Sequence, residues 1–195
     1  MNAVTTHGAT RAHAAVRAED PHTWAVGAHK ARVKRATGPA GSVLGFAVTW
    51  SLLITGLVAL ELFLSEQAIS GRTLAVTAIF FSGSFSGALF ARTFAGLFSI
   101  WRNAPSARFA AMFIGLACGT VGLTALIHFL HFSTYYAQWH SEFGSIYWVF
   151  ETLMTGASAA YIFTVAGMKF LLPWGLPLLF AAAFDYARSA SAAKR

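Results

Sequence analysis

The residues best equipped for chemistry are a scattered set of imidazoles and carboxylates: Glu61, His128, His131, His140, Glu142 and Glu151. His128 and His131 stand three apart and share one face of a helix. Imidazole nitrogens and carboxylate oxygens together could hold a transition metal such as zinc. A haem held between helices would need His128 or His131 to find a partner such as His140, because the other apolar stretches hold no histidine. Glu151 inside an apolar segment is a natural titrating group for ion or proton coupling. The spacing that marks dedicated sites is missing, since there is no HExxH, and neither Glu142 nor Glu151 has a histidine three residues on. No phosphate loop, dinucleotide fingerprint or nucleophile elbow is present either, so no enzyme activity and no resident cofactor are read from the residues. The single cysteine, Cys118, excludes an internal disulfide and a thiolate cluster, and is read as a small packing residue.

These side chains must be positioned by something other than a soluble core. Of the 195 residues 56% are hydrophobic and only 11% charged, and mean hydropathy is +0.58, whereas a soluble domain is about a quarter charged. Four stretches, 42–64, 73–91, 109–132 and 145–168, reach the roughly 20 apolar residues that a bilayer crossing requires. The expected fold is an all-α integral membrane four-helix bundle. A fifth apolar piece, 170–184, is shorter and carries Pro173 and Pro177 around Gly175, which interrupt a helix.

The basic residues choose between four crossings and five. With four, and with both termini cytoplasmic, Arg72 is the one outside among the 14 Lys and Arg; a fifth crossing would carry Arg188, Lys194 and Arg195 outside, against the positive-inside tendency. The fifth piece is therefore expected to be re-entrant or interfacial, with Pro177 in the first turn of a short final helix and 169–195 ending as a basic cytoplasmic tail. Residues 1–41 form a polar basic tail in which 21–36 could be an interfacial helix, its Lys30, Arg32, Lys34 and Arg35 lying on anionic lipid headgroups. Tyr135, Tyr136, Trp139, Tyr147 and Trp148 form an aromatic belt at the outer surface, with Trp101 and Trp174 at the inner one.

Helix faces add packing expectations. Gly83 and Gly87 in the second stretch and Gly115 and Gly119 in the third are GxxxG pairs, and Gly122 continues the latter face. Small residues permit close approach of helices in lipid, so these five glycines are expected to bring the second and third helices together, with self-association as the other use. Thr120, Thr124, His128 and His131 form an opposite polar stripe. Glu151, Thr155 and Ser158 on the fourth helix form another, and the two are expected to face the interior or each other.

This topology gathers Glu61, His128, His131, His140, Glu142 and Glu151 on the outer side. The expected function is a non-catalytic accessory, assembly or scaffold subunit of a membrane complex, partnered by the bilayer and by other membrane subunits or its own copies, without nucleic acid. Two alternatives stand beside it: metal or haem binding at the outer residues, and a small oligomeric channel or exporter coupled through Glu151. A bacterial inner membrane is the expected location, with the mitochondrial inner membrane as the alternative.

Overall fold

A computed structural model describes residues 40–65, 71–102, 104–172 and 174–192. The amino-terminal tail with Lys30, Arg32, Lys34 and Arg35, and Glu66, lie outside the described residues. Among those described the secondary structure is helical throughout, without strands. Four helices are long and apolar enough to cross a membrane: Ser42–Leu64, Gly71–Trp101, Pro105–Trp139 and Ile146–Leu171. This fits a multi-pass membrane protein, because a helix satisfies its own backbone hydrogen bonds and can lie in hydrocarbon.

We label the elements α1 (Ala40–Leu64), α2 (Gly71–Trp101), α3 (Pro105–Tyr136), α4 (Ile146–Ile162), a π-helical segment (Phe163–Gly167), α5 (Met168–Leu171) and α6 (Gly175–Ala192). Local chemistry sets their ends. Ala104 is extended and Pro105 opens α3, as the ring of proline dictates for itself and for the residue before it. Ser145 caps α4 by accepting the Trp148 amide at 3.0 Å. The turn before it passes through Gly144 at φ 87, a conformation that a side chain would oppose. Leu172, before Pro173, is extended and ends α5. Pro177 falls in the first turn of α6.

α2 and α3 share the most extensive interface, and α1 lies against α2. α3 is central, meeting α2 on one side and α4 and α6 on others. Gly87 and Gly119 are in near backbone contact, and Gly115 fits against Ala91 and Phe94. Gly83 abuts Thr124, whereas nothing lies within 4 Å of the position a Cβ would take on Gly122. The contact line thus moves around α3 from Gly115 through Gly119 to Thr124, as expected for helices that cross instead of running parallel. Gly122 is left outside it.

The last third of the chain runs antiparallel to α3. Phe163 lies 6.0 Å from the His128 ring and 6.4 Å from the Phe80 ring, while Phe180 stacks 4.8 Å from Phe113 and 6.1 Å from Phe109. The chain from Phe163 to Phe180 therefore covers the stretch of α3 from His128 back to Phe113, about 22 Å at 1.5 Å per residue. Lys169, only six residues beyond Phe163, lies within the half of the bundle that carries Arg72. The positive-inside count places it at the opposite end. Arg72 and Lys169 nevertheless line one cleft, because the chain past Phe163 packs back along α3.

At the other end, Arg92 joins three helices. Its guanidinium lies 5.4 Å from the Phe46 ring of α1 and 5.0 Å from the Tyr186 ring of α6. These cation–π contacts stabilise a charge that lipid would penalise. They also bring the start of α1 and the end of α6 to the same end of the bundle.

Candidate functional site

Three polar assemblies emerge, and the sequence-level candidates are divided among them. The first is buried. Trp50 of α1, 3% exposed, donates its indole N–H to Thr120 Oγ1 at 3.0 Å, and Thr124 donates to the Thr120 carbonyl at 2.6 Å. Thr120 and Thr124 therefore serve the contact with α1 and α2. They face the bundle interior, one of the two placements expected of this stripe, and not the fourth helix. The line of contact drifts around α3 from Gly115 through Gly119 to Thr124 and so turns this part of α3 toward α1 and α2, which sequence periodicity could not reveal. Trp50 itself escapes a sequence reading because an indole in an apolar run reads as bulk, although a buried Trp N–H calls for an acceptor.

The second assembly is a cap over the carboxy-terminal end of α3. Both carboxylate oxygens of Glu151 are engaged by Ser141, one by its backbone N–H at 2.7 Å and the other by its hydroxyl at 3.1 Å. His140 Nε2 pairs with Thr155 Oγ1 at 3.1 Å. Residues 140–141 are thereby fastened to the second and third turns of α4. Ser158, the third member of that polar stripe, instead returns its hydroxyl to the Met154 carbonyl. The aromatic residues around the cap stay outside: Phe143 is 86% exposed and Tyr147 71%, while Tyr135, Tyr136 and Trp139 meet one another edge-on or tilted.

The third assembly is a cleft of about 440 Å³ between the end of α1, the start of α2, the end of α3 and the π-helical segment. Arg72, His128, His131 and Lys169 line it together with an apolar wall that includes Phe80, Phe132, Phe163 and Phe170. The buried Nε2 of His128 has no hydrogen-bond partner among the described residues. The π-helical segment contributes Phe163, Ala166 and Gly167 to the lining. Such insertions into an α-helix frequently mark functional sites.

The six residues proposed for metal or haem are thus not brought to one point. His128 and His131 line the cleft, His140 and Glu151 belong to the cap, Glu142 is exposed on the cap, and Glu61 lies near the end of α1. Among the described residues no three His, Cys, Asp or Glu side chains converge as metal ligands. Cys118 is exposed on the surface of α3 and not packed inside the bundle, so the structure does not give it the packing role read from sequence.

Fold and site together define a multi-pass helical membrane protein with a capped α3–α4 loop and a cleft lined by basic residues. Comparisons with protein-family models, with curated proteins and with solved structures find no match to this chain.

Proposed function

We propose that the protein is a non-catalytic accessory or scaffold subunit of a bacterial inner-membrane complex, with both termini in the cytoplasm and its aromatic cap turned outward to dock a partner membrane protein. The observation that carries this reading is the cap. Glu151 and Thr155 hold residues 140–141 in place while leaving Phe143, Tyr147 and Trp139 exposed. Rigid exposed aromatics anchor protein interfaces at a small entropic cost. The fourth crossing supports the same reading. Only 11% of its most apolar stretch is buried within the chain, against 28 to 39% for the other three, which leaves a long surface for lipid or a neighbouring subunit. Arg92, clasped by Phe46 and Tyr186, supports placing both termini on one side, and the basic residues there favour the cytoplasmic one.

The test compares the wild-type protein with a W139A/F143A/Y147A variant, both purified in mild detergent. Wild type is expected to retain a partner at constant stoichiometry and the variant to lose it with an unchanged melting temperature. Equal recovery from both, or a clean wild-type monomer, would refute the docking role. Orientation is read from Thr134→Cys and Ser189→Cys, both at exposed positions, in a Cys118→Ser background. Only the first should react with a membrane-impermeant maleimide on intact cells.

A further inference from the structure

The cleft between α1, α2, α3 and the π-helical segment presents a combination the scaffold reading does not use. Arg72 and Lys169 bring a guanidinium and an ammonium to the cleft, and His128 and His131 add two further nitrogen donors or acceptors. Among the described residues no carboxylate lines the cleft. Cations that share a site without a counter-charge repel each other. Lys169 has partial relief, its ammonium lying 5.2 Å over the Phe170 ring. The buried Nε2 of His128 also lacks a partner among the described residues. An anionic group in the cleft would answer all of these demands at once.

The remaining wall is apolar. Phe170 packs edge-on against Phe80 at 5.7 Å, Phe163 stacks on Phe80 at 6.4 Å, and Leu62, Val76 and Ile79 complete the surface. A small hydrated anion would leave that wall without a partner. An acidic headgroup attached to a hydrocarbon tail uses both halves, with oxygens for the cations and methylenes for the rings. The π-helical segment has a role here, because it shapes the wall between Phe163 and Lys169. From this charge complementarity we propose that the cleft is a binding site for an anionic amphiphile, specifically a membrane phospholipid whose phosphate is held by Arg72 and Lys169 beside His128 and His131.

The experiment uses the full chain, delipidated in a neutral detergent, and counts bound lipid by native mass spectrometry while thermal unfolding is followed in parallel. The probes are phosphatidylglycerol, phosphatidylcholine and inorganic phosphate. Phosphatidylglycerol is expected to bind at least tenfold more tightly than phosphatidylcholine and to raise the melting temperature. Inorganic phosphate at the same concentration is expected to leave it unchanged. Arg72→Gln with Lys169→Gln should weaken phosphatidylglycerol binding by about fivefold for each charge removed. Ala166→Phe, which fills the cleft without altering its charges, should reduce binding independently and covers the case in which the double variant does not fold. The tail variant K30Q/R32Q/K34Q/R35Q should leave binding in place. Equal affinity for the two lipids, full stabilisation by inorganic phosphate, indifference to both cleft variants, or loss of all binding in the tail variant would each overturn the proposal.

Discussion

Replacing Gly87 and Gly122 by alanine separates glycines that sequence alone treats as equals. A Cβ on Gly87 would lie 2.6 Å from the Gly119 carbonyl carbon and the Thr120 nitrogen, roughly 0.8 Å short of the 3.4 Å at which ordinary contact begins. Both obstructing atoms are backbone, so no side-chain rotation relieves the clash and α2 must move off α3. That movement thins the contacts of Ala88, Ala91, Met112 and Leu116, all within the buried core. Overpacking of this kind costs about 1–3 kcal/mol, against which alanine recovers up to about 1 kcal/mol of helix propensity. The net expectation for Gly87→Ala is a loss of about 1–2 kcal/mol. Gly122→Ala meets nothing within 4 Å, so only the propensity gain remains and the variant should be neutral to slightly stabilised. The two should therefore differ by about 2 kcal/mol, a factor of roughly 30 in the unfolding equilibrium. Reversible unfolding in mixed micelles, followed by helical circular dichroism, reads this difference directly. Equal shifts for the two variants, or a larger loss for Gly122→Ala, would refute the close-packed crossing at Gly87.

Two further outcomes follow from the polar assemblies. A double-mutant cycle on Trp50→Phe and Thr120→Val should return a coupling of about 0.6 kcal/mol, up to about 1.7 kcal/mol, the range for hydrogen bonds between membrane helices; zero coupling would show that the indole bond contributes nothing. Glu151→Ala should accelerate amide exchange at Ser141 and across residues 137–145 while leaving the global unfolding midpoint nearly unchanged, and unaltered protection at Ser141 would show that another contact holds the cap.

The four long helices are legible because lipid demands long apolar runs, although the fifth apolar piece, 170–184, is set aside only by the count of basic residues. Their ends are less so. Arg92 reads as the boundary of the second apolar stretch, yet α2 continues to Trp101 because Phe46 and Tyr186 shelter the guanidinium. Hydropathy begins the third stretch at 109, four residues after Pro105 opens α3. Glycine spacing identifies the α2–α3 contact and cannot tell Gly119, which makes it, from Gly122, which does not. The cleft is out of reach altogether. Arg72 and Lys169 are far apart in sequence, and counting charges by loop assigns them to opposite sides. Only the break at Leu172 and the path of the chain along α3 place them around one volume.

The clasp at Arg92 also bears on the order of assembly. Phe46 and Tyr186 lie near opposite ends of the described chain, so the ring of contacts that Arg92 closes encloses nearly everything between them. Closing a loop of that length carries the largest entropic cost of any contact described here, and the second ring emerges from synthesis only after α1, α2 and α3 are complete. The α1–α2–α3 unit, joined by local hairpins and by the Trp50–Thr120 bond, can form first. The carboxy-terminal arm is available to dock along α3 only after that, and the contact of Tyr186 with Arg92 ties the end of the described chain to its beginning, as a latch does.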